Sequence, residues 1–86
     1  MHYAAFKGHL EICKFLMEKG AKENFRDLNG FTPLHFAAIN GHIEVCKLIA
    51  ANLDDKSPKA NNGYTPAMLL KKFFQYKAHS IFNEEI

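Results

Sequence analysis

The chain has 86 residues, of which 48% are hydrophobic and 23% charged, a balance typical of a folded protein and not of a disordered chain. Its 11 basic and 9 acidic residues are scattered and give a formal net charge of +2, so no basic block predicts binding to nucleic acid. The apolar runs are far shorter than the roughly 20 residues that span a bilayer, and no charged-then-apolar leader opens the sequence. We therefore expect a cytoplasmic or nuclear protein that binds neither membrane nor nucleic acid, with Cys13 and Cys46 free and buried.

Two helices are predicted at the start of the chain. The stretch HYAAFKG, residues 2–8, has two small alanines and ends at Gly8, which can take a positive φ without steric cost. The stretch HLEICKFLMEKG, residues 9–20, then predicts a second, amphipathic helix that ends at Gly20. The following segment ENFRDLNGF, residues 23–31, has no helical period and contains the tight-turn signal Asn29-Gly30.

The segment GFTPLHFAAINGH, residues 30–42, carries the signals of a third helix. Thr32 is a good N-cap, and a proline after it occupies the first helical position, where no donor is lost. His35 lies three residues after the cap, where a side chain can reach back to it, as in a capping box. Gly41 is expected to end this helix at positive φ.

A fourth helix follows over HIEVCKLIA, residues 42–50. Its apolar residues recur at three- and four-residue spacing, as expected for a helix with one buried face. No glycine ends it, so we expect Asn52, which precedes Leu53, to supply the left-handed residue.

The last third of the chain repeats these signals in weaker form. KSPKANNGY, residues 56–64, is a polar segment with a tight turn, and Thr65-Pro66 is another helix start. Met68 stands where the earlier copy has histidine, which predicts a weaker cap. The stretch LLKKFFQYK, residues 69–77, has two interpretations: an amphipathic helix for a membrane or partner, or a terminal repeat that has lost its consensus residues. We favour the second because the apolar register continues through Ala78 and Ile81 to Phe82.

A 33-residue period links these segments. It relates His2 to His35, Gly8 to Gly41, Cys13 to Cys46, Gly30 to Gly63 and Thr32 to Thr65. In this register NGFTPLHFAAINGHIEVCKLI, residues 29–49, resembles the signature of the ankyrin repeat family. The resemblance implies an all-α fold, a solenoid of stacked antiparallel helix pairs joined by β-hairpin-like turns. We expect one unit over 1–86, with a first repeat at 1–28 that lacks its N-terminal turn, a second at 29–61, and a degenerate C-terminal repeat at 62–86.

The resemblance also implies a function, which is binding another protein through the turn tips and the first helix of each pair. In the register of the repeat, the variable positions of that surface are Phe6, Lys7, Leu28, Asn29, Phe31, Ile39, Asn40, Asn61, Asn62 and Tyr64. Phe31 and Tyr64 occupy equivalent turn positions, and our hypothesis is that they anchor a partner through aromatic contacts. The alternative is that they pack against their own neighbouring turns. We expect a monomer or part of a longer array, and we keep open a structural spacer or a regulatory segment of a larger multidomain protein.

Other chemistry is less well supported by the sequence. His9 with Cys13, and His42 with Cys46, have an i, i+4 spacing that suits two zinc ligands, but both pairs are better explained by helix packing. No phosphate loop, paired-carboxylate motif or nucleophile elbow accompanies them, so we expect no catalytic residue, no metal and no cofactor. Asn24 stands where the family often carries an asparagine that hydroxylases modify, and it serves equally well as a hydrogen-bonded loop residue.

Overall fold

The structure is a computed structural model that describes residues 1–74. This part of the chain contains the helices α1 (His2–Lys7), α2 (Leu10–Glu18), α3 (Pro33–Ile39), α4 (Ile43–Ala51) and α5 (Pro66–Phe74). Between residues 1 and 74 there is no β-strand, which confirms the all-α prediction. The predicted continuation of the apolar register through Ala78, Ile81 and Phe82 lies outside the described residues, so the boundaries 1–28, 29–61 and 62–86 stay a prediction.

The helices form two layers. Helices α1, α3 and α5 lie side by side in an inner layer, in which α3 contacts both neighbours. Helices α2 and α4 contact each other and back onto α1 and α3, so they form the outer layer. The alanine pairs Ala4-Ala5 and Ala37-Ala38 are buried in the inner layer, where their small size lets the helices approach closely.

The core is shared between the repeats and does not belong to any one of them. It joins buried side chains of the five described helices, including Leu34, Ile49 and Leu70. The free thiols of Cys13 and Cys46 are also fully buried there, which is the role predicted for them. A core built in this way stabilises each repeat through its neighbours.

Two glycines end the inner helices as predicted. Gly8 has φ +73° and Gly41 has φ +70°, a region that side-chain-bearing residues rarely enter. Space is restricted as well, because a Cβ on Gly8 would lie 2.5 Å from the ring of His42, and one on Gly41 would lie 2.9 Å from the ring of Phe74. Each glycine therefore provides both the chain reversal and the room for a side chain of the following repeat.

The prediction that Asn52 supplies a left-handed residue is wrong. Asn52 has φ −103°, and its side chain donates to the carbonyl of Leu48 at 2.9 Å. The ammonium group of Lys56 reaches back and donates to the carbonyls of Ala50 and Leu53, each at 2.7 Å. These donors satisfy the carbonyls of Leu48 and Ala50 in the last turn of α4 without a left-handed residue.

The two polar segments form turns with the same hydrogen bonds. Asp27 N–H donates to the carbonyl of Phe31, and Gly30 N–H donates to the carbonyl of Asp27. The bonds from Ala60 to Tyr64 and from Gly63 to Ala60 repeat this pattern 33 residues later. Gly30 and Gly63 both have positive φ, so the tight turns are confirmed.

Candidate functional site

The N-terminal cap of α3 links this inner helix to the turn of the next repeat. The Thr32 hydroxyl accepts from His35 N–H at 3.3 Å, and His35 Nδ1 accepts from Thr32 N–H at 3.1 Å, which completes the predicted capping box. The other ring nitrogen, Nε2, lies 2.8 Å from the carbonyl of Tyr64 and must carry the proton, since a carbonyl only accepts. One imidazole thus caps its own helix and holds the turn of the next repeat.

This arrangement keeps the His35 imidazole neutral. Burial is the main cause that holds the pKa of His35 below its ordinary value of 6.5. The hydrogen bond to Tyr64 and the charge of Asp27 raise this pKa by less, and the charge of Arg26 lowers it. Protonation would also put a hydrogen on Nδ1, which accepts from Thr32 N–H in the folded protein. His35 is therefore a neutral structural residue and contributes no charge to the surface.

The turn tips form a row joined by hydrogen bonds. Asn61 N–H donates to the carbonyl of Asn29 at 2.9 Å, and the Asn61 side-chain amide donates to the carbonyl of Leu28 at 3.1 Å. The Arg26 guanidinium crosses to the carbonyl of Lys59 at 2.6 Å. These contacts join the two described tips into one rigid edge on which the side chain of Leu28 is 98% exposed.

The predicted tip residues differ in exposure. Asn29, Asn61 and Asn62 are exposed together with Leu28, whereas Phe31 and Tyr64 are half-buried. The Asn61 side-chain nitrogen donates to the link between the tips, and the Asn62 side-chain oxygen accepts from Tyr64 N–H at 3.0 Å, so each has only part of its amide group free for a partner.

The equivalent aromatic residues Phe31 and Tyr64 have different surroundings. The Phe31 ring stacks on the His35 imidazole, with centroids 5.3 Å apart and planes at 6°, and meets Phe36 edge-on at 5.7 Å. The Tyr64 hydroxyl accepts from the Lys72 ammonium at 2.9 Å, and that ammonium also lies 5.1 Å from the ring centroid. Both rings make contacts within the chain, so the proposed anchor role would use only their exposed edges and stays a prediction.

The predicted residues on the inner helices lie beside these tips. Lys7 and Asn40 are exposed, and Phe6 and Ile39 are half-buried. The Asn40 side chain donates to the carbonyl of Phe6 at 2.7 Å, and His42 Nε2 donates to the same oxygen at 3.0 Å. Asn40 therefore links α1 to α3 in addition to facing solvent.

The sequence interpretation missed an apolar cleft on the inner helices. The cleft has a volume of about 310 Å³ and is lined by His2, Tyr3, Phe6 and Phe36. Phe36 closes it by edge-on contacts with His2 at 5.3 Å and Phe6 at 6.1 Å, and the Tyr3 side chain is 71% exposed at its rim. Tyr3 and Phe36 are 33 residues apart and each lies three residues before a predicted site residue, so the helical spacing contained the signal.

The pairs considered as zinc ligands have other roles in the structure. Cys46 is fully buried, and burial raises the pKa of its thiol to about 12, which disfavours the thiolate that a metal requires. Burial also raises the pKa of the Cys13 thiol. Within residues 1–74, no three His, Cys, Asp or Glu side chains are grouped so that they can hold a metal ion. Asn24 is exposed and lines a polar cleft behind the turns.

A comparison with models of known protein families gives a match over most of the chain. The family model described as ankyrin repeats (3 copies) matches residues 1–73. A search of curated proteins gave no match. In the described part of the chain, none of the helices has the length and apolarity to cross a membrane.

Proposed function

Because the chain belongs to the ankyrin repeat family, whose repeats are generally protein–protein interaction modules, we propose that it binds a partner protein through its turn tips and inner helices. Members of this family are typically non-catalytic. The proposal accordingly contains no catalytic step, cofactor or metal. The binding surface that we propose comprises Phe6, Lys7, Leu28, Asn29, Phe31, Ile39, Asn40, Asn61, Asn62 and Tyr64, extended by Tyr3 and Phe36.

The observation that carries this proposal is the exposure of Leu28 on a rigid edge. A leucine that is 98% exposed can be buried only by a partner, since nothing in the described part of the chain covers it. The hydrogen bonds of Asn61 and Arg26 already hold the tips together, so binding costs little ordering of the backbone. The apolar cleft beside Tyr3 adds a recess in which a partner side chain can be buried.

The proposal is tested by affinity capture from a cell extract with three baits. These are the unmodified protein, Leu28→Asp, and the control Phe15→Asp, which places the same charge on a 56% exposed residue of the outer helix α2. We expect proteins that bind the unmodified protein and the control and are lost with Leu28→Asp. Circular dichroism of the baits establishes that all three are folded.

Two results would contradict the proposal. Equal capture by Leu28→Asp would place the binding surface away from the tips, and no specific capture by the folded protein would favour a structural spacer.

The anchor hypothesis is tested in the same assay with Phe31→Ala and Tyr64→Ala, singly and together, at a temperature where circular dichroism shows that all these variants are folded. Capture that survives the double variant would leave Leu28 and the cleft as the binding elements.

The proposed module acts as a monomer or as part of a longer array in the cytoplasm or nucleus. Two free, buried thiols support a reducing compartment. Fractionation of cells that express the tagged protein tests the compartment, and recovery in the secreted fraction would contradict it.

A further inference from the structure

The charges of the described helices are divided between the two layers. The inner helices α1, α3 and α5 contain no aspartate or glutamate, and their charged residues are Lys7, Lys71 and Lys72. The outer helices α2 and α4 carry all the helical carboxylates of residues 1–74, which are Glu11, Glu18 and Glu44. The layer with the proposed binding surface is therefore the basic one, although the whole chain has a net charge of only +2.

Three of the carboxylates near these layers have partners within the chain. Glu11 pairs with Lys14 and Glu44 pairs with Lys47, each at 3.5 Å along the outer helices. At the tips, Asp27 accepts from the backbone N–H groups of Asn29 and Phe31, at 2.9 and 2.8 Å.

The cations beside the binding surface remain exposed. Arg26 and Lys59 are exposed at the tips, and Lys7 is exposed at the end of α1. The charged side chains of the inner helices are thus cations only, whereas the outer helices carry charges of both signs.

The apolar cleft lies next to one of these cations. The Lys7 ammonium is 5.8 Å from the ring centroid of Tyr3 and 6.0 Å from that of Phe6. Both rings line the cleft, so a ligand side chain that enters it passes the positive charge of Lys7. A cationic ligand group would be repelled there, because the aromatic rings already interact with a lysine of the chain itself.

We propose that the occupant of this surface is an acidic peptide segment of a partner protein, which places one aromatic or long aliphatic side chain in the cleft lined by Tyr3, Phe6 and Phe36 and its carboxylates beside Lys7. This inference rests on the proposed function and adds the chemistry of the partner. Charge complementarity selects the acidic residues and speeds association, and the cleft provides the desolvated contact that gives affinity.

A peptide is favoured over a nucleic acid by the spacing of the cations. A nucleic acid backbone is bound by a track of cations that follows successive phosphates. The inner helix α1 has a single cation, Lys7, and it is separated from Lys71 and Lys72 of α5 by α3, which has none. The cleft lined by His2, Tyr3, Phe6 and Phe36 has a volume of about 310 Å³, which suits one inserted side chain better than a row of stacked bases.

The test is selection from a random peptide library, about 12 residues long, displayed on phage against the immobilised full chain. We expect selected peptides to be rich in Asp and Glu around one Trp, Phe or Leu. A selected peptide labelled with fluorescein is then titrated by fluorescence anisotropy with the unmodified protein, Lys7→Glu, Tyr3→Ser, and the control Lys47→Glu. Lys47→Glu changes the net charge equally but lies on the outer helix α4.

We expect Lys7→Glu and Tyr3→Ser each to weaken binding about tenfold and Lys47→Glu to leave it within about twofold. Raising the salt from about 50 to about 500 mM should weaken binding to the unmodified protein and have less effect on Lys7→Glu. Both variants change exposed residues, so circular dichroism should match that of the unmodified protein.

Three results would overturn the inference, and they differ in what they say about the proposed function. Selected peptides without acidic bias that still lose binding with Tyr3→Ser would leave the binding surface correct and its partner chemistry wrong. Failure to select peptides, or peptides insensitive to both variants, would count against the surface itself. Binding of a fluorescein-labelled oligothymidylate that is lost with Lys7→Glu would assign the surface to single-stranded nucleic acid.

Discussion

The second and third repeats begin their inner helices with the same Thr-Pro pair but differ three residues later. In the second repeat His35 accepts from Thr32 N–H and donates across to the carbonyl of Tyr64. In the third, Thr65 N–H meets the sulfur of Met68 at 3.5 Å, and a thioether has no proton to donate to another turn. The Thr-Pro pair therefore starts the helix, whereas the residue three positions later makes the link to the next repeat. A repeat can keep its helix start and lose this link.

The ends of the inner helices show a similar contrast. Gly41 ends α3, whereas the position 33 residues later is Phe74, whose ring lies against Gly41. In the preceding pair of repeats, the ring of His42 lies against Gly8 in the same way. A glycine in one repeat thus makes room for a side chain of the next, and the third repeat fills that room with an apolar ring.

The largest effect is expected from Gly41→Val. The valine would be held at φ +70°, and its Cβ would lie 2.9 Å from the Phe74 ring, so we expect a loss of about 3–5 kcal/mol, enough to unfold a chain of this size. Gly20→Val is the matched control, since φ is +90° there but nothing lies within 4 Å, and its cost should be about 1–2 kcal/mol. Thermal unfolding followed by circular dichroism measures both. Equal losses would show that the contact with Phe74 has no energetic role.

The next effect concerns the link between repeats. His35→Met gives the second repeat the residue of the third, replaces the bond from Thr32 N–H to Nδ1 by a weaker one to sulfur, removes the bond to Tyr64, and should cost about 2–3 kcal/mol. The reciprocal Met68→His restores a capping box but makes no link to a further turn within the described residues, so we expect a gain below about 1 kcal/mol. Urea unfolding measures both variants. Similar effects in the two repeats would mean that the box, and not the link, stabilises the stack.

Local signals in the sequence were sufficient for much of this fold. The Thr32-Pro33 start, the glycine at 41 and the tight turns were all predicted, because each depends on residues within one or two turns of chain. Asn52 was mispredicted because the group that replaces a left-handed residue, the ammonium of Lys56, comes from beyond the helix. The capping role of His35 was predicted because Thr32 is close in sequence. Its bond to the carbonyl of Tyr64 was not, because that carbonyl is 29 residues away.

Less of the proposed binding surface could be predicted from the sequence. Lys7, Leu28 and Asn62 lie exposed as expected, but the stacking of Phe31 on His35 depends on two side chains whose relative orientation no spacing rule gives. The cleft of Tyr3 and Phe36 was missed although both fall in register, because its walls come from two different repeats. A register indicates which positions face outward, and packing determines which of them enclose a cleft.

A smaller effect compares the two turns. Gly30 and Gly63 have φ +79° and +86°, but only at Gly30 would a Cβ meet another chain segment, the backbone nitrogen of Asn61 at 2.8 Å. We expect Gly30→Ala to cost about 1–2 kcal/mol more than Gly63→Ala, because it also disturbs the bond between the tips. Chemical denaturation of the two variants gives the difference. If both alanines cost the same, the tips are held less closely than this contact indicates.

The smallest effect is the pH dependence contributed by His35. Burial lowers its pKa in the folded protein, the Tyr64 hydrogen bond and Asp27 oppose this, and Arg26 adds to it. The unfolded chain therefore binds a proton first as the pH falls below about 6.5, so this contribution to stability is complete above that pH and declines below it. The slope of the free energy of unfolding against pH is limited to about 1.4 kcal/mol per pH unit for one proton.

The experiment compares melting temperatures between about pH 7.5 and pH 5.5. They should fall for the protein and for the control His9→Gln, and fall less for His35→Met. A parallel decline in all three would assign the acid sensitivity to groups other than His35.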